Sequence, residues 1–170
     1  MKLVTLKALY IDELDDLHSA ETQLIVALPK LARAANNPDL KKAINAHLEE
    51  TRNQLRRLDL IFQDLEATPG GEVCEATEGL IAEADEIIAA YGDPDVRDVA
   101  LIAAAQRVEH YEMAAYGAAR SFARHLGFDK HVQLLQETLD EEGAADKKLN
   151  DIAEGGWFTS GLNWEAAQKR

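Results

Sequence analysis

The chain has 170 residues, which is enough for one domain, and 46% of them are apolar, which argues against a disordered protein. Its formal net charge of −13 excludes a general nucleic-acid binder and opposes attachment to an anionic membrane surface. It has one cysteine, Cys74, and neither an apolar signal-peptide core nor a run of about 20 apolar residues, so we expect a cytoplasmic protein without disulfides or membrane spans.

Alanine, leucine and glutamate dominate the chain, and the β-branched and aromatic runs typical of strands are missing, which predicts an all-α fold. Turn residues at 36–39, 68–71, 91–94, 127 and 155–156 separate the helical segments. The predicted helices cover residues 5–35, 39–66, 75–91, 95–126 and 129–154. Gly127 stands where the fourth of these helices would end in a left-handed cap.

The lengths of the connections predict how the helices are arranged. The turn between the first two long helices and the turn between the last two are short, so each pair forms an antiparallel hairpin. About 28 residues, including the short helix, separate the hairpins, and this is long enough to cross the bundle. The pattern predicts a ferritin-like four-helix bundle with an additional short helix in its crossover, and an up-down five-helix bundle is the alternative.

We expect the bundle to occupy residues 1–156 and a C-terminal tail to occupy residues 157–170. The tail carries Trp157, Phe158 and Trp164, whose rings we expect to cover an edge of the bundle or a subunit contact. A symmetric homodimer is the oligomer that we expect by default.

Acidic residues interrupt the apolar stripe of every long helix. Glu21 occupies a leucine position in the first helix, and His47, Glu50 and Gln54 replace consecutive apolar positions in the second. The same stripes of the third and fourth long helices carry Glu109, Glu112 and Tyr116, and Glu142 and Asp146.

The spacing places these carboxylates at matching depths in the bundle. Glu112 and Glu142 lie equally far from Gly127, so the second hairpin brings them to one level. Glu21 and Glu50 lie equally far from the turn of the first hairpin. Each hairpin is therefore predicted to gather its own carboxylates in one layer.

Unpaired carboxylates are costly to bury, so a layer of them needs either shared protons or bound cations. A single Glu on an apolar stripe usually lies at its edge with the head group in water, but four helices with acids at paired depths indicate a metal site. Carboxylate oxygens in a helical bundle favour two divalent ions, iron first, with manganese or zinc as alternatives. The predicted ligands are Glu21, Glu50, Glu109, Glu112, Glu142 and Asp146.

Three further residues are predicted to support these ligands. His47, as a lone histidine on an apolar face, is expected to hydrogen-bond within the core, and Gln54 is a candidate partner for a ligand. Tyr116 would either hydrogen-bond a ligand or fill the core. His110 follows Glu109 directly and so points about 100° away from it, which argues against a ligand.

Four stretches that contain these residues carry a family resemblance. They are SAETQL around Glu21, AHLEETRNQLRRLDLIF around Glu50, ALIAAAQRVEHYEMAAYG around Glu109 and Glu112, and ETLDEEGAADKKLNDIA around Glu142. With them the sequence resembles the YciE/YciF family of bacterial ferritin-like stress-response proteins over roughly residues 6–153. The resemblance implies a ferritin-like four-helix bundle, a helical contact between subunits and a dinuclear metal site.

The chain departs from the wider ferritin-like pattern at two positions. That pattern places His three residues after the glutamates of the second and last long helices, where this chain has Asn53 and Ala145. The pair Glu109 and Glu112 instead resembles the rubrerythrin variation, and Asp146 could replace a missing ligand. An almost all-carboxylate site could bind iron, manganese or zinc, but it would lack the imidazoles that help to set a metal's potential.

Two functions remain open from the sequence. One is a stress-response metalloprotein whose di-iron centre oxidises Fe(II) or consumes peroxide, an oxidase or peroxidase type of activity. The other is a non-enzymatic structural or partner-binding bundle with a vestigial or purely structural metal site. The expected partners are metal ions and a second copy of the chain, without nucleic acid or membrane.

Overall fold

The computed structural model describes residues 4–156 and 159–169, which form six helices and one pair of two-residue strands. The long helices are α1 (Leu6–Ala34), α2 (Pro38–Asp64), α4 (Pro94–Leu126) and α5 (Asp129–Glu154). The shorter elements are α3 (Glu75–Ala89), β1 (Gly155–Gly156), β2 (Thr159–Ser160) and α6 (Leu162–Ala167). The five predicted helices are confirmed with ends within two residues of those expected, and α6 is an unpredicted helix in the tail.

Local chemistry sets the ends of the helices. The side-chain oxygen of Asn37 accepts hydrogen bonds from the backbone N–H groups of Asp39 and Leu40 at 2.9 and 3.1 Å, so Asn37 caps the start of α2. Gly127 has φ 78°, a left-handed conformation that only glycine adopts at little cost, and it closes α4 as predicted. Both hairpins therefore turn where the sequence indicates a break.

The two hairpins pack so that neighbouring long helices run antiparallel. Gln54 of α2 contacts Glu142 of α5, while further along α2 Asp64 contacts an earlier residue of α5, His131. At the start of α4 the carboxylate of Asp98 accepts the backbone N–H groups of the turn that follows α1, at 2.8 and 2.6 Å. Because α2 and α4 both run antiparallel to α1, the crossover must travel the length of the bundle, which excludes an up-down arrangement.

The core of the bundle consists of two apolar clusters separated by a polar layer. The first cluster lies near the α1–α2 turn and includes Leu28, Ile44, Leu101 and Leu149. The second lies near the opposite end and includes Tyr10, Leu58, Ala119 and Leu135. The polar layer between them consists of buried side chains from all four long helices: Glu21, His47, Thr51, Gln54, Glu109, Glu112, Thr138 and Glu142.

The described part of the tail contributes an apolar anchor to the bundle. Leu162 of α6 is buried and packs in the first apolar cluster. Trp164 is 60% exposed, and Trp157 and Phe158 lie outside the described residues. Among the helices that the structure describes, none has an apolar stretch long enough to cross a bilayer.

Candidate metal centre

Four buried side chains of the polar layer meet at distances that suit a metal ion. His47, Glu109, Glu112 and Glu142 each offer one ligand atom, and these atoms all lie within 4.8 Å of one another. They come from α2, α4 and α5, and none of the four residues is more than 6% exposed. The prediction from spacing alone had placed Glu112 and Glu142 at one depth, and the structure brings them into this group.

The imidazole of His47 faces the carboxylates through one nitrogen and is held through the other. Its Nε2 lies 3.5 Å from Glu109 Oε1 and 3.8 Å from Glu142 Oε2. Its Nδ1 lies 3.3 Å from Oε2 of Glu50. When Glu50 accepts a hydrogen from Nδ1, the neutral imidazole presents the lone pair of Nε2 to a metal.

Three of the predicted ligands, Glu21, Glu50 and Asp146, lie outside this group. Glu50 is 43% exposed in its side chain and orients His47 from the edge of the site. Asp146 accepts a hydrogen bond from Gln106 at 3.0 Å and lies 3.3 Å from the exposed imidazole of His110. The structure therefore places Glu50 and Asp146 beside the centre, and it places His47, predicted as a supporting residue, among the candidate ligands.

Glu21 is the fourth buried carboxylate of the layer and approaches from α1. The hydroxyl of Tyr116 donates a hydrogen bond to its Oε1, and its Oε2 has no partner in the described part of the chain. Burial raises the pKa of Glu21 well above its usual range, and the charge of Glu142 raises it further. Tyr116 thus contacts a residue predicted as a ligand, and it also packs in the second apolar cluster.

A chain of hydrogen bonds links Glu142 to the protein surface. Gln54 donates through its amide nitrogen to Glu142 Oε1 and, at 3.2 Å, to Glu141 Oε2. Arg57 holds both oxygens of Glu141 at 2.7 Å. The amide of Gln54 is therefore fixed by the Arg57–Glu141 pair, and it in turn positions the carboxylate of Glu142.

The remaining oxygens of these carboxylates lack hydrogen-bond partners. Among the described residues, five buried carboxylate oxygens of the layer have no hydrogen-bond partner: Glu21 Oε2, Glu109 Oε2, both oxygens of Glu112 and Glu142 Oε2. Burial raises the pKa values of Glu109 and Glu112 well above the usual range, and neighbouring carboxylates raise them further. Without a cation the layer can reduce its repulsion only by holding protons.

The pKa of His47 also indicates that the layer favours a positive charge. Burial by itself lowers the pKa of the imidazole, but its hydrogen bond to Glu50 and the charge of Glu142 outweigh that effect, so the pKa is raised. The acidic surroundings therefore favour positive charge at this position. A divalent ion held by three carboxylates and one imidazole would supply it, and this donor set suits iron, manganese or zinc.

Two cavities reach the centre from opposite sides. The larger, of about 240 Å³, lies between α2 and α5, and the smaller, of about 40 Å³, lies beneath α3. His47 and Glu109 line both cavities and so separate them. A small molecule could therefore approach the buried group without a rearrangement of the helices.

One further polar contact near the layer was not expected from the sequence. Cys74 is buried at the start of α3, where its Sγ lies 3.0 Å from the hydroxyl of Tyr111. Ser19 accepts the backbone N–H of Cys74 at 2.9 Å, which fastens the crossover to α1. Cys74 lies between the turn residues 68–71 and the first turn of α3, so no apolar periodicity in the sequence indicates that it is buried.

Comparison with known proteins identifies close relatives. The profile of the family described as "Domain of unknown function (DUF892)" matches residues 5–160. Protein YciF of Escherichia coli (strain K12) is 48% identical over 154 residues, which are 90% of this chain and 93% of YciF. These matches confirm the resemblance seen in the sequence.

Solved structures agree with the fold. The crystal structure of the E. coli stress protein YciF has a TM-score of 0.88 at 43% identity and covers 98% of this chain and 100% of its own. YcfI of Rhodopseudomonas palustris has a TM-score of 0.86 at 44% identity over 89% of this chain and 97% of its own. A Xanthomonas campestris protein at 20% identity, with a TM-score of 0.69 over 86% of this chain and 89% of its own, shares the fold alone.

Proposed function

The chain belongs to the DUF892 family and is a homologue of the E. coli stress protein YciF, and from that premise we propose that it is a stress-response metalloprotein with a dinuclear centre in its polar layer. His47, Glu109, Glu112 and Glu142 would hold one ion, and Glu21 would contribute to holding the second. Iron is the metal that we propose, with manganese or zinc as alternatives.

The observation that carries this proposal is the set of five buried carboxylate oxygens without partners. Four buried carboxylates, Glu21, Glu109, Glu112 and Glu142, bring up to four negative charges into one layer. Two divalent ions would balance that charge, whereas one ion would leave half of it. Buried charges that are neither paired nor hydrogen-bonded are rare because their desolvation is so costly.

Three residues around such a centre would position its ligands. Glu50 holds the tautomer of His47, Gln54 orients Glu142, and Tyr116 orients Glu21. The two apolar clusters close the layer toward both ends of the bundle, and the two cavities leave access to it from the side. Bound iron would supply redox chemistry, so that oxidation of Fe(II) or consumption of peroxide is the activity that we propose.

Metal analysis tests the proposal directly. Protein purified and reconstituted with Fe(II) should contain about two metal ions per chain, and its Tm should rise relative to protein treated with chelator. The double variant Glu109→Gln/Glu142→Gln should lose both the metal and the Tm increase, while Glu49→Gln, at a 67% exposed side chain of α2, should keep both. A wild-type protein that binds no iron, manganese or zinc would contradict the proposal.

The alternative of a purely structural metal site has one observation in its favour, since His47 is the sole imidazole within the four-residue group. Peroxide consumption and Fe(II) oxidation by the iron-loaded protein, compared with the zinc-loaded protein, separate the two functions. Equal Tm increases without any consumption of oxidant would establish the structural role. Light scattering of the same samples tests the expected homodimer.

A further inference from the structure

The smaller cavity is an apolar space whose inner end is the metal centre. It has a volume of about 40 Å³ and lies between α3 and the groove formed by α1 and α4. All but three of the residues that line it are apolar, and the three polar ones are Asp85, His47 and Glu109. His47 and Glu109 belong to the buried four-residue group, so the cavity connects the inner face of α3 with the candidate ligands.

Small side chains leave this space open. Ala27 of α1, Ala84 of α3, and Ala104 and Ala105 of α4 line the cavity, and an alanine ends at its Cβ. Larger neighbours on α3, such as Ile81, pack against the core and hold the helix in place. Protein interiors are close-packed and contain few voids larger than a water molecule. A gap at this position, beside the candidate ligands, is therefore a candidate binding site.

The polar side chains at the cavity do not make it a site for water. Asp85 is exposed, and its carboxylate pairs with Nζ of Lys30 at 3.4 Å. His47 and Glu109 are proposed ligands, and a bound metal would occupy their lone pairs. A buried water makes about three hydrogen bonds, and the apolar side chains of the remaining wall offer none. The cavity therefore favours an apolar molecule over water.

We propose that this cavity binds dioxygen beside the metal centre. At about 10 to 15 Å³ of free volume for one water, it has room for roughly three water-sized units, which suits a diatomic molecule or one xenon atom. This inference rests on the proposed function, and it names dioxygen as the oxidant that enters beneath α3. Each O₂ that is reduced to hydrogen peroxide takes up two protons and two electrons, one from each of two Fe(II) ions. Incoming hydrogen peroxide carries hydroxyl groups whose hydrogen bonds the apolar wall cannot satisfy.

Xenon, an apolar atom that binds in dry cavities, tests the inference in crystals of the full chain, both metal-free and Mn(II)-loaded. An anomalous xenon peak should lie between Ala84 and Glu109. Ala84→Leu, which adds three carbons to the cavity wall, should remove the peak, and Ile81→Ala, which enlarges the cavity, should raise the xenon occupancy. Ala82→Leu, at an exposed position of the same helix, is the matched control and should leave the peak unchanged.

Oxidation kinetics of the iron-loaded protein distinguish dioxygen from peroxide. Ala84→Leu should raise the KM for O₂ severalfold and leave kcat unchanged, because it removes a binding site and touches none of the proposed ligands. Oxidation by hydrogen peroxide should keep its wild-type rate in the same variant. Equal slowing with both oxidants would show that the substitution disturbs the centre itself, and it would overturn the assignment of the cavity to dioxygen.

The outcomes separate this inference from the function on which it rests. If wild-type crystals show no xenon in the cavity, if ordered water fills it, or if Ala84→Leu leaves the xenon occupancy or the KM for O₂ unchanged, the cavity is not a dioxygen site. Metal uptake by the same preparations reports on the metal centre independently. A xenon site that depends on Ala84 in a protein that takes up no metal would retain the apolar cavity and overturn the proposed function.

Discussion

The substitution Glu112→Gln should stabilise the metal-free protein. Both oxygens of Glu112 are buried without a hydrogen-bond partner, and the residue is 1% exposed. Leaving a buried polar group unsatisfied costs about 1 to 3 kcal/mol, and more when the group is charged. Glutamine has nearly the same shape, carries no charge and can donate its N–H groups to the neighbouring carboxylates.

The expected gain is about 2 kcal/mol in the free energy of unfolding, which corresponds to a rise in Tm of about 4 to 8 °C for a chain of this length. The gain should depend on pH. Because burial raises the pKa of Glu112, the folded wild type is most stable relative to its unfolded state at low pH and loses stability as the pH rises through that pKa. The difference between variant and wild type should therefore be large near about pH 8 and small near about pH 5.

Metal should reverse the order of stability. Saturation at a hundred times the Kd stabilises a protein by about 2.7 kcal/mol, and the variant, which lacks one carboxylate ligand, should lose most of this gain. Thermal unfolding of both proteins in chelator and in excess Mn(II), at both pH values, gives the four differences in stability between variant and wild type. A variant that is less stable than the wild type in chelator at high pH, or that gains as much from metal, would refute the reasoning.

Three further substitutions test other contacts of the bundle. Arg57→Gln should lower the free energy of unfolding by about 1 to 2 kcal/mol, because it leaves Glu141 without its two-pronged ion pair. Tyr116→Phe should lower the free energy of unfolding by about 1 to 2 kcal/mol. The hydrogen bond from Tyr116 lowers the pKa of buried Glu21 because it stabilises the ionised carboxylate, so its removal should cost more at high than at low pH. Burial lowers the pKa of His131, so the wild type should lose stability as the pH falls below about 6.5, and His131→Gln should weaken that dependence.

Exposed residues of the same types provide the matched controls, each measured by thermal unfolding at the same pH values. Arg56→Gln, Tyr91→Phe and His125→Gln should each change the free energy of unfolding by less than about 0.5 kcal/mol. If a control changes stability as much as its buried counterpart does, the contact assigned to that counterpart is not the cause of the effect.

The fold was largely predictable because turn chemistry and apolar periodicity agree along this chain. Gly127 supplies the left-handed conformation that ends α4, and Asn37 caps α2 next to a proline, so both hairpin turns carry local signals. The crossover length then decides between bundle topologies. Helix α6 has only six residues, too few to show a helical period, and it depends on Leu162 packing into a core formed elsewhere.

The sequence predicted that the polar residues form one layer, but it did not predict which of them face the centre. Successive residues of a helix differ by about 100°, so Glu50 lies about 60° from His47 around α2, while Gln54 lies only about 20° away. The stripe therefore passes through His47, Thr51 and Gln54, all of which are buried, and leaves Glu50 at its edge. The sequence marked the interruption of the stripe, but the tilt of α2 in the bundle decides which of its members faces the centre.

The contacts that long polar side chains make between helices are a second feature that spacing within one helix does not predict. Asp146 lies one helical turn beyond Glu142 on the same face of α5, but its carboxylate accepts a hydrogen bond from the amide of Gln106. Such pairings depend on which side chain of the neighbouring helix stands at the same height. Spacing within one helix does not contain that information, so the contacts of Glu50 and Asp146 could be seen only in the folded chain.

The polar layer also fixes how the four long helices align along their axes. Each helix has apolar residues above and below its buried polar ones, so an axial slip of one helical turn, about 5.4 Å, would push a carboxylate among leucines and leave an apolar side chain among acids. Two purely apolar stripes would tolerate such slips far better, because one leucine layer packs much like the next. The carboxylates therefore select a single alignment of the bundle even before any ligand binds, at the cost of a less stable core.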